Sequence, residues 1–387
     1  QSPATLAAAL AAAADGDHIY LPAGNTALGT LSALRSATNP LVIRGRPMAA
    51  GSKAPTSIIT GKTVLSGRGY WLYELQTSYA GSDRHNADIH ITGSYMTVTR
   101  CWLTGREGMQ IVNPAHHCNI GWNRFTGRNT RTGTDPHGGP AAPNCFQFEI
   151  SVPGSFPTPT SGPYNIACYR NFFWDDTNHG LYDSSYGGES MCCYVGNDHP
   201  GPDDLGTLLN VVFEENFYAK AGGRKRSLYA KRGCDMIRNR SVHTSSIFGQ
   251  RHGWGSRIYG NRVTDTDFIV IGDDRAGSYA AGNDLRNNVA GGTFRLGRAY
   301  NSPSGSPYQA ADWTTMFKNN GKVTVGYISG NGVPTTDMGG ILSNVRIYQY
   351  TGAITKIDGN FDPDTYTKDD GNPLGLTDGA DLIGVTF

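Results

Sequence analysis

Beyond its first sixteen residues the chain is a succession of short β-branched and aromatic runs broken by Gly, Asn and Asp, with no stretch of helical periodicity. The start is the exception. Ser2-Pro3-Ala4 carries helix-start signals, and Thr5 to Ala14 reads as an Ala-rich helix that Asp15-Gly16-Asp17 ends. His18 to Leu21 then reads as a strand.

A repeat lies over this pattern. Asn followed two residues later by Phe or Val recurs at Asn123, Asn171, Asn261 and Asn287, with looser members at Asn197, Asn216 and Asn239. The steps from Asn123 are 48, 26, 19, 23, 22 and 26 residues, so the first reads as two repeats. Thr97 to Trp102 precedes Asn123 by one further unit. A unit of 22 to 26 residues with β-branched runs suits one coil of a right-handed parallel β-helix. A leucine-rich repeat has a similar length, but its Leu lattice is absent. Strands stacked about 4.8 Å apart set equivalent side chains of successive coils in ladders. An Asn at a turn tolerates left-handed backbone geometry and bonds the Asn above and below it, which is the structural role expected of the series.

The expected architecture is therefore all-β: a single-stranded right-handed parallel β-helix of three-strand coils, with an N-terminal capping helix that covers the open strand edges. One domain spans 1–387. The cap occupies 1–16 and the coils 17–299, while 300–387 holds further coils with long loops or a C-terminal cap.

Composition agrees. There are 51 Gly and 20 Pro, and only 17% of residues are charged, as in a turn-rich β protein. No apolar run nears the roughly 18 residues of a membrane span. The Gln1-Ser2-Pro3 start reads as a mature end left by signal removal, which implies secretion. Seven cysteines without a Cys-x-x-Cys pair form neither a dense disulfide framework nor a zinc site. The Cys145, Cys168 and Cys192 intervals match one repeat, predicting a buried ladder or a bridge between coils. Adjacent Cys192 and Cys193 are not expected to bridge each other. Asn239-Arg240-Ser241 is a formal glycosylation sequon.

Charge changes the picture more. The chain balances 33 basic against 32 acidic residues, yet Lys220 to Arg262 holds eleven Lys and Arg and one acid, Asp235. Such a field gathers an anionic ligand. Lys231 and Arg251 lie 20 residues apart, close to one coil, so they should project side by side. Arg224 and Arg226, seven and five residues before Lys231, are read as sharing its strand face. Neighbouring cations disfavour protonation of Lys231 and push its pKa towards neutrality, as a general base requires. Arginine stays charged and clamps carboxylates through paired hydrogen bonds. Together these suit β-elimination on a uronic acid polymer.

Ser227 to Lys231, Arg238-Asn239, Phe248 to Gly253 with its Arg251-His252-Gly253, and Tyr259-Gly260-Asn261 together resemble the central signature of polysaccharide lyase family six. That family comprises alginate lyases and chondroitinase B on a parallel β-helix. Ile269 to Asp273 and Glu107 to Ile111 look like its weaker motifs, and the resemblance covers about residues 5 to 290. It implies Lys231 as Brønsted base and Arg251 as acid or charge-stabilising residue. Many members carry Glu-x-Glu before the lysine and bind calcium there. This chain has Arg224 and Arg226 at those positions, which cannot hold calcium. The resemblance therefore implies a lyase without metal or other cofactor. Family thirty-one, also β-helical alginate lyases, pairs a lysine with a tyrosine and no metal, which makes Tyr182, Tyr186 and Tyr194 candidates for a second proton-transfer group. His252 is expected to orient substrate or Arg251, or to bond structurally, and Trp254 to stack on a sugar or pack.

Other readings stay open. A β-helical hydrolase would need carboxylates, for which Asp175-Asp176, Asp203-Asp204 and Asp273-Asp274 are available, although none stack at coil spacing. A non-catalytic β-helix binding an anionic glycan is a second. Nucleic acid is disfavoured by a single basic patch on a neutral chain. The expected partner is an anionic polysaccharide, most simply alginate, with glucuronan or dermatan-type glycans as alternatives, bound by a monomer away from membranes.

Overall fold

The computed structural model describes residues 5–46, 54–78, 87–105, 107–126, 145–151, 162–174, 190–196, 207–219, 226–230, 233–242, 248–250, 253–254 and 256–263, then strand segments 268–271, 280–281, 283–286, 289–290, 294–297, 315–320, 327–329, 345–350 and 354–356. Three long sheets take strands in turn. Sheet A begins with His18–Tyr20, sheet B with Gly24–Thr26 and sheet C with Thr30–Leu31, and up to Phe248–Gln250 each later strand joins the one three before it; beyond that, Gly253–Trp254 pairs apart from the three sheets with Ala280–Ala281. The sheets hold 13, 10 and 11 strands, paired in parallel throughout except for the antiparallel Val345–Tyr350 and Ile354–Lys356. This is the parallel β-helix of three-strand coils that the repeat predicts.

Side-chain alternation fills the interior. Val98, Ile120 and Phe213 line sheet A, Phe125, Phe173 and Tyr218 sheet B, and Ile111, Ile150 and Val195 sheet C, all at most 1% exposed. The sheet B rings stack coil on coil, with centroids 4.5 Å apart for Phe125 and Phe173 and 4.9 Å for Phe173 and Tyr218. Offset aromatic stacking adds to the area such rings bury.

The asparagine series forms a buried ladder at the corner between sheets A and B. Its rungs are Asn123, Asn171, Asn216, Asn239 and Asn261, and Cys101 occupies the position before them. Each Asn donates from Nδ2 to a main-chain carbonyl, as Asn239 does to Phe213 at 2.8 Å. The left-handed conformation falls on the residue before the rung, not on the Asn itself: Arg100, Trp122, Arg170, Glu215, Arg238 and Gly260 all have positive φ. The Asn side chain is thus freed to point inward.

The spacing differs from the sequence expectation. Asn123 and Asn171, 48 residues apart, are neighbouring rungs, and so are Asn171 and Asn216, 45 apart. These are single coils enlarged by insertions, so Asn197 is no rung and the first step is not two repeats. Asn287 lies outside the described residues. The cysteine intervals fail for the same reason. Cys145 and Cys192 lie on sheet C strands, but Cys168 lies on sheet A, half a coil away. Cys101, Cys118, Cys168, Cys192, Cys193 and Cys234 are buried free thiols. Asn239 is 1% exposed within the ladder, so the sequon is closed to modification in the folded chain.

The cap helix spans Leu6–Ala12, shorter at both ends than predicted, with Thr5 as its N-cap accepting from Ala8 N–H at 3.2 Å. Leu6, Leu10 and Ala13 pack against the core, and Arg35 donates to the carbonyls of Leu10 and Ala13. Two carbonyls at the helix end are thereby satisfied. His116 and His117 open the sheet A strand His116–Gly121, stacked against Tyr164 and Tyr95 respectively.

Candidate active site

The strand Arg226–Ala230 sits in sheet C between Ser190–Gly196 and Phe248–Gln250. Leu228 and Ala230 belong to the core cluster, so Tyr229 between them faces outward. Register extends this outer row through His90, Gln110, Glu149, Tyr194, Tyr229 and Gly249. It is polar or aromatic up to Gly249, which carries no side chain and is itself buried.

The row is covered although it lies outside the core. Gln110, Glu149, Tyr194 and Tyr229 are at most 4% exposed. Gln110 Nε2 donates to Glu149 Oε2 at 2.9 Å. Burial and the charge of Lys62 push the His90 pKa down, and a hydrogen bond with Gln110 opposes this. Tyr194 and Tyr229 stack with centroids 6.3 Å apart. Tyr194, named above as a candidate second proton-transfer group, therefore has no exposed ring face; it packs against Tyr229.

The pairs Tyr229 with Gly249 and Ala230 with Gln250 hold a constant offset of 20 residues (249 − 229 and 250 − 230). That is also the interval from Lys231 to Arg251, which follow the two strands in sequence. Lys231, Arg251, His252, Arg224, Tyr186 and Tyr182 lie outside the described residues, and Arg226 and Trp254 are described in the backbone alone. Arg226 pairs with Met191, two positions before the core residue Leu228. It stands an odd interval, five residues, from Lys231. Regular alternation puts an odd interval on opposite faces, so the shared face read for Arg224, Arg226 and Lys231 does not follow. The aspartates proposed for hydrolysis also lie outside the described residues.

The basic stretch divides between faces. Asp235, its one acid, is engaged by Arg257 through Nη2, through Nε at 3.0 Å and through the main-chain N–H at 2.9 Å. Arg238 pairs with Glu214 at 2.5 Å and Glu215 at 3.2 Å. Arg240 and Arg262 lie on sheet B. The coil thus disperses a run that looks continuous along the chain, and sequence spacing alone could not show it.

Sequence reasoning also missed the outer row of Gln110 and Glu149. They are 39 residues apart across an enlarged coil, so no regular spacing signals their contact.

No protein-family profile matches the chain, and no curated protein matches it in sequence. Solved structures do. A mannuronic acid specific polysaccharide family 6 lyase from human gut microbiota superposes with a TM-score of 0.53 at 14% identity, covering 88% of this chain and 75% of that one. An alginate lyase in complex with G6, AlyF-OU02, gives a TM-score of 0.49 at 15% identity, covering 88% and 67%. At such identity the first likeness establishes a shared fold.

Proposed function

We propose that the protein is a polysaccharide lyase that cleaves a uronate polymer by β-elimination without a metal, with alginate as the first candidate substrate. The observation that carries this reading is the 20-residue offset between the strands ending at Ala230 and Gln250, which continues in sequence to Lys231 and Arg251. The fold shared with a mannuronic acid specific lyase supports it.

In this mechanism Arg251 neutralises the uronate carboxylate and so acidifies the C5 proton. Lys231, neutral among cations, takes that proton. The electron pair forms the C4–C5 double bond as the C4–O4 bond breaks, and the leaving oxygen is protonated by an acid. Tyr182 and Tyr186 remain candidates for that acid, because Tyr194 is enclosed. Arg224 and Arg226 stand in sequence where family six carries its calcium ligands, and we assign them charge compensation in place of the ion, which requires the alternation to break after Ala230, where the strand ends. His252 and Trp254 are assigned to substrate positioning. A polymeric substrate is consistent with a secreted protein.

The test is absorbance of the unsaturated uronate formed from polymannuronate, polyguluronate, glucuronan, dermatan sulfate or polygalacturonate in the presence of EDTA. A rise on one polymer that falls by ~10²-fold or more in Lys231→Ala supports the reading. New reducing ends without absorbance would establish hydrolysis instead, and loss of the rise in EDTA would restore a metal.

A further inference from the structure

Arg240 and Arg262, which sequence assigns to one basic groove, stand on the outer side of sheet B, a different face of the coil from the strand that leads to Lys231. There they belong to a row in register: Trp102, Arg124, Phe172, Phe217, Arg240 and Arg262. Their neighbours Phe125, Phe173 and Tyr218 point into the core, so the row points out. Phe172 and Phe217 stack at 5.6 Å and 8°. The Arg124 guanidinium lies 4.7 Å from the Trp102 ring, and that of Arg240 5.7 Å from Phe217.

At the adjoining corner Trp122 is 53% exposed, with φ 58°. Left-handed geometry favours Gly or Asn, and a half-exposed indole does little for folding. Arg170 lies 5.0 Å over its ring. Among the described residues, charge on this side is one-signed where it is free. Arg170 and Arg238 are paired with Glu214 and Glu215, and Arg44 and Arg100 approach Glu74. Arg124, Arg240 and Arg262 have no ion-pair partner among the described residues.

Rings stacked along the coil axis present edges to solvent, so sugar stacking is confined to Trp122. What the row supplies is guanidinium groups steadied on aromatic planes, whose in-plane N–H donors remain available for carboxylates. Arg240 and Arg262 are one coil apart, about 4.8 Å, and Arg124 is three coils before Arg240. A line of cations at this spacing matches a linear polyanion with a carboxylate on successive residues.

We propose that the outer side of sheet B, with the Trp122 corner, is a second binding site for an acidic polysaccharide, separate from the sheet C face and able to hold the polymer while another segment is cleaved. The choice of a uronate chain as ligand rests on the proposed function; the surface itself rests on register, exposure and charge.

The triple variant Trp122→Asn, Arg124→Gln, Arg240→Gln tests it. Asn is chosen because it accepts the left-handed backbone at 122. Affinity for immobilised polymannuronate is measured in a Lys231→Ala background, and turnover of a mannuronate tetrasaccharide in the chain with Lys231 intact. About a tenfold loss of polymer affinity is expected, with tetrasaccharide turnover and thermal midpoint unchanged. Undiminished polymer affinity, or no polymer binding by the parent, overturns the proposal. So does an equal loss on dextran sulfate, which would mean charge alone, and so does a parallel loss of tetrasaccharide turnover, which would place the row in the catalytic groove. A change from dimer to monomer in sedimentation would make the surface a self-contact instead. If no uronate is ever turned over, the lyase reading fails while the affinity arm still reports on this surface.

Discussion

Asn216 Oδ1 accepts two hydrogen bonds from Asn171, one from its main-chain N–H and one from its side-chain Nδ2, each at 3.0 Å. Asn216 in turn donates Nδ2 to the carbonyl of Cys168 and to Oδ1 of Asn239. One side chain therefore satisfies buried polar groups of three successive coils. Removing it leaves donors and an acceptor stranded in a dry corner, which costs more than the bonds themselves contribute. Asn216→Ala is expected to destabilise the fold by about 3 kcal/mol, read from the urea midpoint. A shift no larger than that of the exposed control Leu34→Ala would refute a structural role for the ladder.

Burial raises the Asp88 carboxyl to about 7, although Thr77 Oγ1 and Gly105 N–H both donate to it and oppose the shift. In the unfolded chain the group ionises near its ordinary value of 3.8. The folded state therefore holds a proton that the unfolded state has lost. The protonated carboxyl's contribution to stability is full below about pH 4 and is lost as pH rises through about 7, on the order of 4 kcal/mol at most. Asp88→Asn should flatten that slope between about pH 4 and 7. An unchanged pH profile of the unfolding midpoint would show that Asp88 is ionised in the folded protein.

Burial pushes the Cys101 and Cys118 thiols up to about 12 and the Cys168, Cys193 and Cys234 thiols well above their usual value. Thiolates react and thiols do not. A disulfide reagent at neutral pH should leave these five and Cys192 untouched for hours and label them once the chain is unfolded. Rapid labelling of more than one thiol in the native protein would contradict their burial.

Tyr194→Phe should leave turnover within about twofold, because the ring is packed against Tyr229 out of solvent. A hundredfold loss of kcat with an altered pH profile would make Tyr194 the second proton-transfer group after all and require the cover over sheet C to open.

Much of this protein is written along the chain. The Asn ladder, the alternating strands and the cap helix follow from local periodicity, because a coil without insertions repeats its contacts at a fixed interval. Asn216, Asn239 and Asn261, 23 and 22 residues apart, could be placed as rungs from sequence alone. The offset that continues to Lys231 and Arg251 was legible for the same reason. Where insertions swell a coil to 48 or 45 residues, counting fails, as it did for Asn197 and for the cysteines. The face on which a charge emerges was also beyond counting, since one residue of phase turns a side chain from solvent to core and one corner moves it to another sheet. Arg226, Arg238, Arg240 and Arg257 are close in sequence, yet they belong to sheet C, the corner between sheets A and B, sheet B and sheet A respectively. Composition and spacing determined a coil and a stretch of it rich in cations; the winding of that coil alone decided which cations stand together.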